Sequence, residues 1–96
     1  MGNIRFAWDR RKAGSNAVKH GVSFEEAQSV FLDEYARLTD DPDHSAAEER
    51  FLLLGYSLQA QCLIVSHCYR KADSVIRIIS ARRATTREER MYWSFR

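Results

Sequence analysis

The sequence predicts an α+β domain on one antiparallel sheet, and three observations predict it. Residues 4–8, "IRFAW", alternate Ile4, Phe6 and Trp8 with Arg5 and Ala7, the period-two pattern of a half-buried strand. Two helical segments follow, each with its own start signal. Three apolar, β-branched runs then come in succession, joined by short polar links, before a last amphipathic segment. The expected order is β-α-α-β-β-β-β-α, with the two N-terminal helices packed on the sheet and a helix at the C-terminus.

Local chemistry supports each element. Asp9 stands where an N-cap belongs, so "RRKAGSNAVKH" is expected to run as a helix with Ala13, Ala17 and His20 on its inner face. Gly21 ends it as the left-handed residue past the last turn. "SFEE", residues 23–26, is a capping box that starts a second helix burying Phe24, Ala27, Val30 and Phe31. "YARLT" is a short strand, "DDPDHS" a turn rich in acceptors, and "SAAE", residues 45–48, a candidate single helical turn. "RFLLLGYS", "CLIVSHCY" and "SVIRIISA" form the meander, and Gly55 in the first marks a bulge or a close approach by another part of the chain. "TTRE", residues 85–88, caps a terminal helix with Met91, Tyr92 and Phe95 on one stripe and Trp93 off it.

The 96 residues suit one domain, 1–96, with a single core. No apolar run approaches the ~20 residues of a membrane span, and the N-terminus lacks the apolar core of a signal peptide, so a cytoplasmic protein is expected. Cys62 and Cys68 lie on one extended run, too far apart for a disulfide. The histidines form no metal-ligand spacing, and no cofactor is expected. Glycine-rich phosphate loops, nucleophile elbows, zinc-protease helices and dinucleotide fingerprints are absent.

Charge is uneven. Residues 1–48 carry six basic and nine acidic side chains, residues 49–96 nine basic and four acidic. The cationic surface therefore belongs to the C-terminal half, as suits a polyanion site, a solvated face or a dock for an acidic partner. Its cations and imidazoles collect near the meander: Lys19 and His20 at a helix end, His67 on the second strand, Arg70 beyond it, Arg77 on the third, and Arg82 and Arg83 at its exit. Strict alternation places Arg77 with Ile79 and Ala81, where its guanidinium must meet water, a carboxylate such as Glu49 or Asp73, or a ligand phosphate. Arg82 and Arg83 should diverge to opposite faces.

Cations beside an imidazole suffice for cutting an RNA backbone. The 2′-hydroxyl can itself attack the adjacent phosphorus, so a protein need only move two protons and stabilise charge at phosphorus. Such chemistry needs no cofactor and leaves DNA intact.

Three segments carry a resemblance: "FAWDRRKAGSNAVKHGVSFEEA", "DDPDHSAAEERFLLLGYS" and "IRIISARRATTREER". In order and over nearly the whole chain they resemble the BrnT family of toxins from bacterial type II toxin–antitoxin systems. The resemblance implies a RelE-like fold, a compact metal-independent endoribonuclease that arrests translation, and RNA as substrate. It also implies neutralisation by a BrnA-type antitoxin with a ribbon-helix-helix domain, in a two-to-two complex that binds operator DNA through the antitoxin. By position it implies an RNA site on Lys19, His67, Arg77, Arg82 and Arg83, with Arg70 and Trp8 against the substrate. In this reading Arg77 and Arg82 hold the transition-state phosphate, His67 is the acid or base, and Lys19 assists. His44, Glu49 and Arg50 share the family pattern in an expected structural role. The competing expectation is a noncatalytic module whose basic face binds an antitoxin or nucleic acid.

Overall fold

A computed structural model describes residues 4–44, 49–72 and 74–94. The "SAAE" turn, Asp73, Phe95 and the side chain of His44 lie outside the described residues. In chain order the elements are strand β1 (Arg5–Ala7), helix α1 (Arg10–His20), helix α2 (Phe24–Ser29), strand β2 (Arg37–Asp40), strands β3 (Phe51–Tyr56), β4 (Cys62–Arg70) and β5 (Val75–Arg83), and helix α3 (Thr86–Ser94). Short 3₁₀ turns at Val30–Leu32 and Pro42–His44 complete the connections. This is a mixed α+β architecture with one five-stranded sheet, ordered β1-β5-β4-β3-β2.

The sheet is mixed, not wholly antiparallel as expected. β2, β3, β4 and β5 pair antiparallel, but β1 pairs parallel with β5, with Arg5 opposite Val75 and Ala7 opposite Arg77. The helices after β1 carry the chain from that edge of the sheet to β2 at the other, and the antiparallel run β2 to β5 then returns to lie beside β1 in the same direction.

The end signals act as their chemistry dictates. Asp9 accepts from the Lys12 amide at 3.1 Å, and Gly21 takes φ 68° as its amide donates to Ala17. Ser23 accepts from the Glu26 amide at 3.0 Å, yet the Glu26 carboxylate turns inward, accepting from Ser57 at 2.7 Å and Gln61 at 2.8 Å. The box at Thr85 closes both ways: its hydroxyl accepts from the Glu88 amide, and Glu88 accepts from the Thr85 amide.

α1 and α2 cover one face of the sheet. Phe24, Ala27 and Val30 are fully buried against Leu53, Leu63, Val65, Ile78 and Ala81, with Phe6 and Trp8 packed at the margin. Burying a side chain the size of Phe24 contributes ~1.5–3 kcal/mol. Gly55 belongs to this face and answers the close-approach expectation. A Cβ there would stand 2.9 Å from that of Ala36 and 3.0 Å from Val30 Cγ1, nearer than van der Waals contact allows.

α1 departs from its expected inner face. Ala17 is exposed, and the buried residue is Asn16. β1 covers only the first part of β5, so the edge beyond Arg77 lacks a strand partner. Asn16 supplies one: its side chain donates to the Ala81 carbonyl at 2.8 Å and accepts from the Ala81 amide at 3.0 Å. A third bond reaches the Val22 carbonyl at 2.9 Å. Asn16 thus moors α1 along the β5 edge.

α3 packs on the opposite face, over Leu54 and Ile64, through Tyr92, which is 3% exposed. The Tyr92 hydroxyl donates to Asp33 at 2.7 Å, and Tyr56 donates to Glu89. Trp93, expected off the packed stripe, donates to the Tyr56 hydroxyl at 3.1 Å. Burial first, and then Glu89, push the Tyr56 hydroxyl pKa upward.

Candidate functional site

A break in the alternation of β5 decides where its arginines stand. Ser80 pairs with Ser66, but the next pair is Ile78 with His67, so Ile79 is an extra residue that β4 does not match. From this bulge onward the parity of β5 is reversed. Ala81 therefore joins Ile78 and Ile76 on the helix-covered face, while Arg77, Ser80 and Arg82 share the other face. Arg77 and Ala81, placed together by strict alternation, are on opposite sides.

The register lays out that second face in rows. Leu54, Ile64 and Arg82 form one, and Leu52, Ser66 and Ser80 the next. Cys68, Arg77 and Ala7 follow, and Arg70, Val75 and Arg5 come last. Over the first two rows lies a cleft of about 370 Å³. Its floor is Leu52, Ile64, Ser66 and Ser80; Arg82 and His20 line it beside β5, and Asp41, Asp43 and Arg50 complete the lining. His20 arrives there because it lies four residues after Asn16, on the helix stripe held against the β5 edge. Arg50, for which a structural role is expected, also lines the cleft.

Arg82 is held in a fixed pose. Its two terminal nitrogens each donate to a Glu88 oxygen at 2.9 Å, and one also reaches the Arg83 carbonyl at 3.2 Å. This two-pronged pair holds the Glu88 carboxyl at about 2 and raises the Arg82 pKa further. Glu88 in turn closes the α3 cap, so the helix start and the arginine's orientation are one construction.

The other expected site residues divide. Arg77 is half-buried and Arg70 exposed, both on the cleft's face but beyond the bulge from it. Arg83 is exposed and pairs with Leu63, which puts it on the face opposite Arg82, as alternation requires. Lys19 is exposed on the last turn of α1, and the cleft is lined by its neighbour His20 instead. Trp8 is half-buried in the helix-side core with its ring 5.8 Å from Phe24, edge to face, so it does not shape the cleft.

His67 is separated from Arg82 and Arg77 by the sheet itself. It is 0% exposed, enclosed by the rings of Phe31, Phe51 and Tyr69. The Val65 carbonyl, 3.1 Å from Nδ1, can only accept, so Nδ1 carries the proton and Nε2 accepts from the Tyr69 hydroxyl at 3.2 Å. The structure leaves no face of this ring open, whereas an acid or base must touch its substrate.

Burial lowers the His67 pKa, so the native ring stays neutral where an unfolded one, with a pKa of ~6.5, takes a proton. Stability is therefore full above that pH and falls as the pH drops below it. Urea midpoints measured across mildly acidic pH should decline for the native chain and stay flatter for His67→Phe. The Glu88 contribution occupies a lower window, disappearing as the pH falls from the ordinary carboxylate range toward about 2.

Two signals for the cleft were present in the sequence. Ser66 and Ser80 interrupt apolar strands, and His20 ends a helix beside a left-handed glycine. Their convergence required the bulge and the Asn16 mooring. Among the described residues no three His, Cys, Asp or Glu side chains converge as a metal site. No described helix is long and apolar enough to cross a membrane.

The family model of BrnT, the ribonuclease toxin of type II toxin–antitoxin systems, matches residues 8–88. Among solved structures, the crystal structure of the Brucella abortus ribonuclease toxin BrnT is similar, with a TM-score of 0.68 and 20% identity. The match covers 88% of this chain and 100% of that one. At that identity the likeness speaks for the fold. No curated protein matches the chain.

Proposed function

The chain belongs to the BrnT family of ribonuclease toxins of type II toxin–antitoxin systems, and on that premise we propose that it cuts RNA in the cleft beside β5, without a metal ion. The carrying observation is the meeting of His20, Arg50 and Arg82 over Ser66 and Ser80. In this reading the scissile phosphate sits against Arg82 and Arg50, whose guanidinium groups offset the extra negative charge as phosphorus becomes five-coordinate. The 2′-oxygen of the preceding ribose attacks phosphorus and gives up its proton, and the 5′-oxygen leaves with another. His20 exchanges one of these protons, and the serine hydroxyls donate to the non-bridging oxygens. The products are a 2′,3′-cyclic phosphate and a free 5′-hydroxyl. Glu88 acts through Arg82 by aiming its fork.

The wider role follows from the family. Cutting RNA in the cytoplasm arrests translation, and a BrnA-type ribbon-helix-helix antitoxin neutralises the chain in a two-to-two complex that represses its own operon through the antitoxin's DNA contacts. A RelE-like descent is part of the same proposal. The fold likeness and the family match support it.

The test is incubation of the purified, antitoxin-free chain with naked RNA in the presence of chelator, followed by end-group analysis. Cyclic or 3′-phosphate ends are expected. A folded chain that binds its antitoxin but leaves RNA intact would return the basic face to a noncatalytic docking role.

A further inference from the structure

The arginines of this face do not stop at the cleft. The last two rows of the same face carry Arg77, and then Arg70 and Arg5 on either side of Val75. Arg5 and Arg70 are exposed, and so is Ala7 beside Arg77, while Cys68 in the row of Arg77 is buried. α3 covers only the opposite end, over Leu54 and Ile64. Asp9 feels the Arg77 charge, but its carboxylate is already engaged as the cap of α1.

Three two-residue steps separate the row of Arg82 from that of Arg5, on the order of 20 Å along the strands. We propose that Arg5, Arg70 and Arg77 form a phosphate track on which the single-stranded RNA flanking the cleaved bond lies along β5. This rests on the cleft being where RNA is cut. The two rows of guanidinium groups follow Arg82 along the same face, as successive phosphates of one extended strand require. Double-stranded RNA would instead present two backbones and a groove. The described residues of these two rows include no aromatic ring, so the track offers charge without a stacking platform and holds sequence indifferently. Specificity for the cut then belongs to the cleft.

Binding of labelled 2′-O-methyl RNA, which cannot be cut, to the full chain tests this apart from catalysis. Fluorescence anisotropy over a range of salt would compare a dinucleotide, which fills the cleft, with a decanucleotide, which reaches Arg5. The decanucleotide should bind more tightly. Combining Arg5→Ala with Arg70→Ala should weaken it on the order of tenfold at low salt and reduce the slope of log affinity against log salt by about 1.4. The corresponding pair of lysine substitutions should recover most of the loss, since a phosphate contact needs charge more than a fork.

Equal affinity and slope for the native chain and the alanine pair would overturn the track. So would loss of antitoxin binding by that pair with RNA binding intact, which would make this face the antitoxin's dock. A chain showing the expected length and charge dependence but cutting no RNA would uphold the track and remove the catalytic reading instead.

Discussion

Arg82→Ala should lower the rate of RNA cleavage by about 10²–10³, the loss seen when one preorganised donor to a developing charge is removed. The expectation rests on where Arg82 stands: on the cleft side, aimed by a two-pronged pair with Glu88, with Ser80 one row away. The fold should survive. The Arg82 side chain is 41% exposed, and an ion pair so open to water contributes ~0–1 kcal/mol. Arg82→Lys retains a positive charge but loses the two-pronged geometry, so it should recover only part of the rate. Glu88→Gln keeps one acceptor and removes the charge, and should fall between the native chain and Arg82→Ala. Single-turnover rates for the series, with circular dichroism as a check of folding, would decide. Equal loss at Arg83, on the other face, would contradict it.

His20→Ala should cost a further independent factor of about 10²–10⁴, the range for losing a positioned acid or base. His67→Phe should leave the chemical step close to native, because the ring it replaces is enclosed by Phe31, Phe51 and Tyr69 on the far side of the sheet. The two substitutions therefore reverse the order that the strand sequence alone suggests. Stability sharpens the contrast: loss of His67 should change its acid dependence. If His67→Phe folds and loses cleavage while His20→Ala cuts normally, the cleft is not the active site.

These two histidines also show what could be read from the sequence. Elements whose signals are local were legible: Asp9, Ser23 and Thr85 accept from amides three residues on, as their spacing requires, and Gly21 adopts its left-handed turn. The core of α2 followed from helical spacing, since Phe24, Ala27 and Val30 have only one face to bury.

The parity of β5 was not legible. The "VIRIISA" run is equally apolar on both faces, so nothing in it marks Ile79 as the extra residue, and the bulge is set by pairing with β4. The parallel pairing of β1 is likewise tertiary, as a three-residue strand carries no direction signal of its own. α1 misled because a buried polar residue looks like a surface one until its partners are known; Asn16 is buried because Ala81 has no strand neighbour on the β1 side. Once that mooring and the bulge are in place, His20 and Arg82 meet.

The most direct measurement is a crystal structure of the chain with an uncleavable 2′-O-methyl dinucleotide. The bridging phosphate is expected within hydrogen-bond distance of Arg82 and His20, over Ser66 and Ser80. A dinucleotide seated instead on the helix-covered face, against Trp8 or His67, would contradict it.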